Sequence, residues 1–333
     1  MKLRPLVFVV ALLLWPASAQ AQAWLPFQGE GSLSLTLQRI NLSGHFDTDG
    51  SRLKGCSPSR AYSEIFEFEY GVTNKLAINA RLPYIASTFT GAEDEPCNAD
   101  LHQLYGELKQ RQPNTSLASL DTGDYYSTFQ DFGFGLRCNV LNRGVVVTPA
   151  VGVTIPSHHY RTVGEAAPGQ DRFAFSTGVN AGALLDPWAH GAYVHAHYAY
   201  SFVQHLYGVS LNRSNAELEG GYAVTPIVSL RGLVAWQHTH GGLTYAETLD
   251  GAFGTDTQPG VPELFLDHDR LLAARYWHIG GGATISLTDT IDLDAAVVTF
   301  PAGADSHYGV GMSVGVTWQV LTPRAPSRSS RTR

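Results

Sequence analysis

After its first fifteen residues the chain has no stretch approaching about eighteen consecutive apolar residues, which excludes a bundle of membrane-spanning helices. Charge is scarce too: Asp, Glu, Lys and Arg supply 15% of the residues, well under the roughly 25% of soluble globular proteins. The formal net charge of −7 gives no reason to expect a nucleic-acid partner. Nucleotide loops, metalloprotease helices and paired zinc cysteines are absent, and no cofactor or metal is expected. His-x-Ser, the strand-face arrangement usual in lipid-cleaving barrels, is also missing, so the chain does not read as an enzyme. Cysteines number three, Cys56, Cys97 and Cys138. In an oxidising compartment the first two can bridge successive loops, or they stay as two loop thiols.

What the chain does have is alternation. From Tyr308 to Val320 every even position is large and apolar and every odd one is Gly, Ser, Thr or Gln. A strand points successive side chains to opposite faces, so one face here is greasy throughout and the other small and polar. Similar segments recur with no convincing amphipathic helices to cover them. A closed barrel in lipid solves this, because strand pairing satisfies the backbone while apolar residues face out and polar ones face in.

The N-terminus fits export. Lys2 and Arg4 precede the apolar run Leu6 to Trp15, and Ala17-Ser18-Ala19 begins a small-residue tract. Residues 1–23 read as a signal peptide cleaved after Ala19, Ala21 or Ala23, residues 24–322 as the barrel, and the Arg- and Ser-rich 323–333 as a disordered tail.

Matching the period of two gives about twelve strands, over 29–42, 61–72, 75–86, 126–138, 144–155, 172–184, 190–203, 213–224, 226–238, 272–287, 290–300 and 308–321. Connections alternate short and long, from Thr73-Asn74 and then 87–125 through to 288–290 and then 301–307. The fold class is therefore all-β, a transmembrane antiparallel up-and-down barrel with short periplasmic turns and long extracellular loops. Aromatics including Phe68, Tyr70, Tyr84, Tyr198, Trp236, Trp277 and Trp318 suit interfacial girdles. Within the loops, Leu101, Leu104, Tyr105 and Leu108 recur at helical spacing, and 262–266 reads as one apolar helical turn.

With the apolar faces outward, the lumen receives Glu67, Glu69, Asn79, Arg81, Asp131, Arg137, His195, His197, Glu217, Glu219, Arg231 and His278, together with Asp292 and Asp294. Charges in so narrow an interior are expected to pair. Turn positions place Glu67 across from Arg81, Glu69 across from Asn79, and His197, Glu219 and Arg231 in one cross-strand network. Small inward residues, Gly309, Gly311, Ser313, Gly315, Gly178, Gly182, Gly280 and Gly282, leave room for a passage. Histidines gather at the expected outer rim: His158, His159, His205, His238, His240, His268 and His307, without a recognised ligand spacing.

The segment Tyr70-Gly71-Val72-Thr73-Asn74-Lys75, continuing through Arg81-Leu82-Pro83-Tyr84, resembles the outer-membrane transporter-like family of the meta pathway of phenol degradation. The shared pattern is Tyr-Gly, a Thr-Asn turn, an alternating strand and a closing Pro, and strands ending Ile155-Pro156 and Phe300-Pro301 are similar. The resemblance implies a channel for small, often aromatic, compounds. Two features depart from it: Trp318 lies fifteen residues before the end, and 87–125 looks like an insertion.

The expectation is a barrel of the bacterial outer membrane that passively admits small aromatic or apolar solutes, with outer-membrane lipids, the solute and the barrel assembly machinery as partners. The alternative from another class is a non-conducting structural or adhesive barrel. Too few residues precede the first strand for the N-terminal plug of a long-chain fatty-acid channel.

Overall fold

The computed structural model describes residues 23–89, 120–186, 188–255, 258–261 and 263–320. The signal-like segment up to 22, the helical reading of 100–112, Cys97 and hence any bridge to it, and the tail lie outside the described residues.

Twelve antiparallel strands close into one ring: β1 Gly31–Phe46, β2 Arg52–Thr73, β3 Leu76–Thr88, β4 Asp131–Cys138, β5 Val145–Pro156, β6 Ala174–Leu184, β7 Ala192–Val203, β8 Leu211–Thr225, β9 Val228–Gly241, β10 Arg275–Thr288, β11 Ile291–Ala304 and β12 Ser306–Val320. Each pairs with its neighbours in sequence, and β12 returns to pair with β1. Closing the ring gives each of the twelve strands a neighbour on both sides, which is what a bilayer demands of a sheet.

The alternation behaves as the sequence requires. On β12, Val310, Met312, Val314, Val316 and Trp318 are exposed on the outside, and the glycines and Ser313 between them face in. Leu33, Phe66, Phe134, Val151, Leu218, Leu230 and Val297 continue an exposed apolar band around the barrel. In water such a surface would be a severe liability, and in hydrocarbon it is the solvated face, so the barrel spans a membrane. Aromatic pairs lie on the outer face toward the two ends of this band, including Phe68 stacked on Tyr70 and Trp236 beside Trp277 with ring centroids 6.3 Å apart.

The expected rhythm of connections is looser than the sequence suggests. Short turns do gather at one end, the turn end. At the other, the loop end, β1 and β2 are joined by only 47–51 and β11 and β12 by Asp305 alone, in a left-handed conformation with φ 48°. The polar and small residues at 43–60 and 301–307 look like loop, yet the ladder runs on through Gly44 opposite Tyr308 and Phe46 opposite Ser306. Cys56 accordingly lies on β2 and not in a loop. These four strands stand as a raised wall against which the remaining loops fold.

The β9–β10 connection carries three short helices, α1 Tyr245–Phe253, α2 Glu263–Leu266 and α3 His268–Leu271. The turn expected at 262–266 is α2. The longer α1 escaped the period-two reading, although Thr244 and Glu247 form a reciprocal capping box at its start.

Candidate functional site

The residues assigned to the lumen alternate along their strands with exposed apolar ones, Glu67 lying between Phe66 and Phe68 and Leu218 between Glu217 and Glu219. Two-residue turns fix register, and β2 and β3 pair as their turn dictates, Glu67 opposite Arg81 and Glu69 opposite Asn79. Arg81 Nε lies 3.4 Å from Glu67 Oε1, with about half of the Arg81 side chain (51%) exposed inside the barrel. An inward guanidinium that open to solvent marks water-accessible space in the lumen. Glu69 instead pairs with Arg137 across β3, and there the Arg137 side chain is only 8% exposed.

Breaking that second pair strands a largely desolvated carboxylate. Arg137→Ala is expected to lower barrel stability by about 2–3 kcal/mol, read as a lower urea midpoint for loss of heat-modifiable gel mobility. Arg81→Ala, at a wet pair, is expected to cost well under about 1 kcal/mol.

The His197, Glu219, Arg231 network is not formed. Glu219 stands opposite His195 and Leu233, and His197 opposite Glu217. Glu219 accepts from the Tyr193 hydroxyl at 2.7 Å, His197 Nδ1 meets Asn180 Oδ1 at 2.8 Å, and Arg231 reaches over Gly282 to Asp294. Asp294 is further held by Thr284 at 2.7 Å. Tyr193 and Asn180 were legible as inward positions, but nothing marked them as partners.

Beside Arg231 and Asp294 opens a cavity of about 200 Å³, lined also by Glu67, Thr36, Ser313 and Gly315. Of the β12 inner face Ser313, Gly315 and Thr317 border this cavity, whereas a Cβ at Gly309 or Gly311 would run into Asn41 or Val298. Toward the loop end, His278 meets Tyr276 and Phe300 at centroid distances of 6.0 and 5.6 Å, an aromatic patch on the inner wall.

A segment outside the ladder folds against the barrel at each end. At the turn end residues 23–30 pack against the barrel, with Ala23 buried and Trp24 half-buried while Phe27 and Gln28 stay exposed. The Gly29 amide donates to the Gly71 carbonyl and the Gly71 amide to the Glu30 carbonyl, and Thr148 Oγ1 of β5 donates to the Ala23 carbonyl at 2.6 Å. Trp24 packs edge-on against Tyr193 and over Gly182, where a Cβ would come 2.5 Å from the indole. The glycine is thus the slot for the ring. No sequence signal pointed to Trp24, which sits at the edge of the cleavage region.

At the loop end, residues 157–173 fold inward over the mouth. Tyr160 donates to Asp131 at 2.5 Å and accepts from the Asp171 amide, and Ser87 donates to the Ala166 carbonyl at 2.5 Å. Arg270 of α3 donates to the Gln170 carbonyl and to Thr162, locking the helical loop onto this inner cap. Burial raises the Tyr160 hydroxyl, and its bond to Asp131 raises it further, so it stays a donor. Burial and the neighbouring Arg270 and Arg213 bring Arg172 down to about 10, still a cation at neutral pH.

On the outer face, β8 and β9 bring together a pair that no His-x-Ser pattern announces: Ser214 Oγ lies 2.8 Å from His240 Nε2 and 3.1 Å from the Tyr198 hydroxyl. Among the described residues none bonds His240 Nδ1, so the third group of a hydrolytic triad is missing there.

A closed transmembrane barrel with a polar, charged lumen defines the architecture of the outer-membrane channel barrels. No family model matches the chain, and no curated protein matches it. Among solved structures, it is similar to the COG4313 outer membrane channel from Pseudomonas putida F1, with TM-score 0.62 and 13% identity over 89% of this chain and 97% of that one. The NanC porin aligns at TM-score 0.48 and 10% identity over 86% and 100%, and the Pseudomonas putida toluene transporter TodX at 0.38 and 10% over 91% of each. At these identities the likeness is one of fold.

Proposed function

We propose that this chain is a passive channel of the bacterial outer membrane for small solutes that carry an aromatic or apolar body and a polar group. The observation that carries the reading is the lumen itself, where a charged cavity at Glu67, Arg231 and Asp294 and an aromatic patch at Tyr276, His278 and Phe300 line one interior. A packed structural barrel has no use for water-accessible charge. In this reading the end capped by residues 157–173 faces outside and Trp24 faces the periplasm. The similarity of Tyr70 to Tyr84 to the phenol meta-pathway family favours phenol-like solutes.

Liposome swelling with phenols, sugars and fatty acids tests this. Uptake of phenols ahead of sugars of similar size is expected. No uptake of any solute by refolded protein, with Trp24 intact or replaced, would leave the non-conducting barrel as the better account.

The enzymatic reading has its own test, because Ser214 and His240 are in contact. Refolded protein is expected to release no labelled fatty acid from phospholipid vesicles, and Ser214→Ala to change nothing. Hydrolysis that disappears with Ser214→Ala would make the barrel an enzyme.

A further inference from the structure

At the top of the raised wall His45 on β1 and His307 on β12 are ladder partners, with ring centroids 4.0 Å apart. His268, at the start of α3, brings a third ring 5.5 Å from His45 and 6.5 Å from His307. One nitrogen from each of the three lies within 4.8 Å of the others. The site is well shielded, since His45 is 7% and His268 1% exposed. Asp269 presents Oδ1 to two of these rings, 2.6 Å from His307 Nε2 and 3.2 Å from His268 Nε2, and Glu165 approaches His45 at 3.4 Å.

The hydrogen bonding leaves a specific vacancy in chemistry. His268 Nδ1 lies 2.6 Å from the Phe265 carbonyl, which only accepts, so Nδ1 carries the proton. In the neutral ring Nε2 is then a bare lone pair, buried without a hydrogen-bond partner and facing a carboxylate oxygen. His45 Nδ1 is likewise buried and unpartnered. Two acceptors pointed at one another in a dry site need a cation between them. An imidazole whose far nitrogen is fixed by a backbone carbonyl is also the usual support for a metal-ligating histidine.

We propose that His45, His268 and His307, with Asp269 Oδ1 as the oxygen ligand, bind one divalent transition-metal ion of the zinc class. Three imidazoles and a carboxylate suit such an ion, whereas calcium and magnesium prefer oxygen ligands throughout. Spacing does not reveal it, because His45 precedes His268, Asp269 and His307 by more than two hundred residues and lay outside the histidines assigned to the rim. Within the channel reading, the ion would staple the helical loop of 242–274 to the barrel wall, across the elements that close the outer mouth.

The experiment uses full-length refolded protein, stripped with chelator and titrated with ZnCl2 by calorimetry, with MgCl2 as the comparison. About one zinc per chain is expected, Asp269→Asn is expected to weaken it by about 10–100-fold, and His45→Asn with His268→Gln to abolish it. His159→Gln, at a side chain 99% exposed, is expected to bind as the parent does. Heat-modifiable mobility shows that each variant has folded. Folded parent protein that takes up no zinc, or takes it up equally with His45 and His268 replaced, overturns the site and assigns the cation between His268 and Asp269 to a proton. Zinc binding without any effect on solute flux would keep the site and remove only the stapling role.

Discussion

Replacing Trp24 by Ala is expected to raise single-channel conductance in planar bilayers by about threefold or more, since the narrowest obstruction sets flux through a pore. The ring occupies the turn-end mouth, seated on Tyr193 and in the slot left by Gly182. A second substitution reaches the same end from the opposite direction. Gly182→Val adds bulk to the wall, but its Cβ would stand where the indole now lies, so the indole must leave. If residues 23–30 are the stopper, deleting a ring and filling its slot both open the pore. If conductance instead falls with Gly182→Val and is unchanged by Trp24→Ala, the obstruction lies elsewhere and the segment is only a tether. The expectation is specific to this geometry, because adding volume to a lumen ordinarily narrows it.

The second large effect concerns charge. Arg231 is the cation lining the central cavity, bound to Asp294 with Glu67 close by. Arg231→Ala leaves two carboxylates on that wall, and the permeability ratio of potassium over chloride is expected to rise by about tenfold. A unit charge a few ångströms from a permeating ion is worth a few kcal/mol at intermediate dielectric before screening, and about 1.4 kcal/mol suffices for tenfold. Reversal potentials under a KCl gradient measure it. Arg231→Lys retains the charge and is expected to stay near the parent value, which separates electrostatics from repacking. An unchanged ratio in Arg231→Ala would mean that ions bypass this cavity.

The sequence carried the faces of the strands more reliably than their partners. Inward and outward sets depend only on period two, and a slip of two residues leaves them intact. Such a slip overtook Glu219. Its expected partner Arg231 requires a turn centred on Thr225, but the chain turns at 226–227 with an irregularity between Ala223 and Thr225, and Leu233 arrives opposite instead. The β2–β3 hairpin has the same irregularity, between Gly71 and Thr73, but there the register read from the sequence coincides with the one formed, and Glu67 meets Arg81. Trp24, Tyr160 and His45 were beyond reach for another reason. Each acts from a segment that folds back on the barrel, and alternation says nothing about where a loop returns.

The lengths of the ladders have a mechanical consequence. β1 and β12 zip through fifteen register pairs, although these are the two ends of the barrel and the last to meet. β3 holds β4 through six pairs and the short strand Tyr126–Phe129 before it through four more, while β5 holds β4 through seven and Leu141–Arg143 through three. The seam is therefore no weak line of the ring: the chain's two ends are fastened to each other by a longer ladder than joins the strands of its middle.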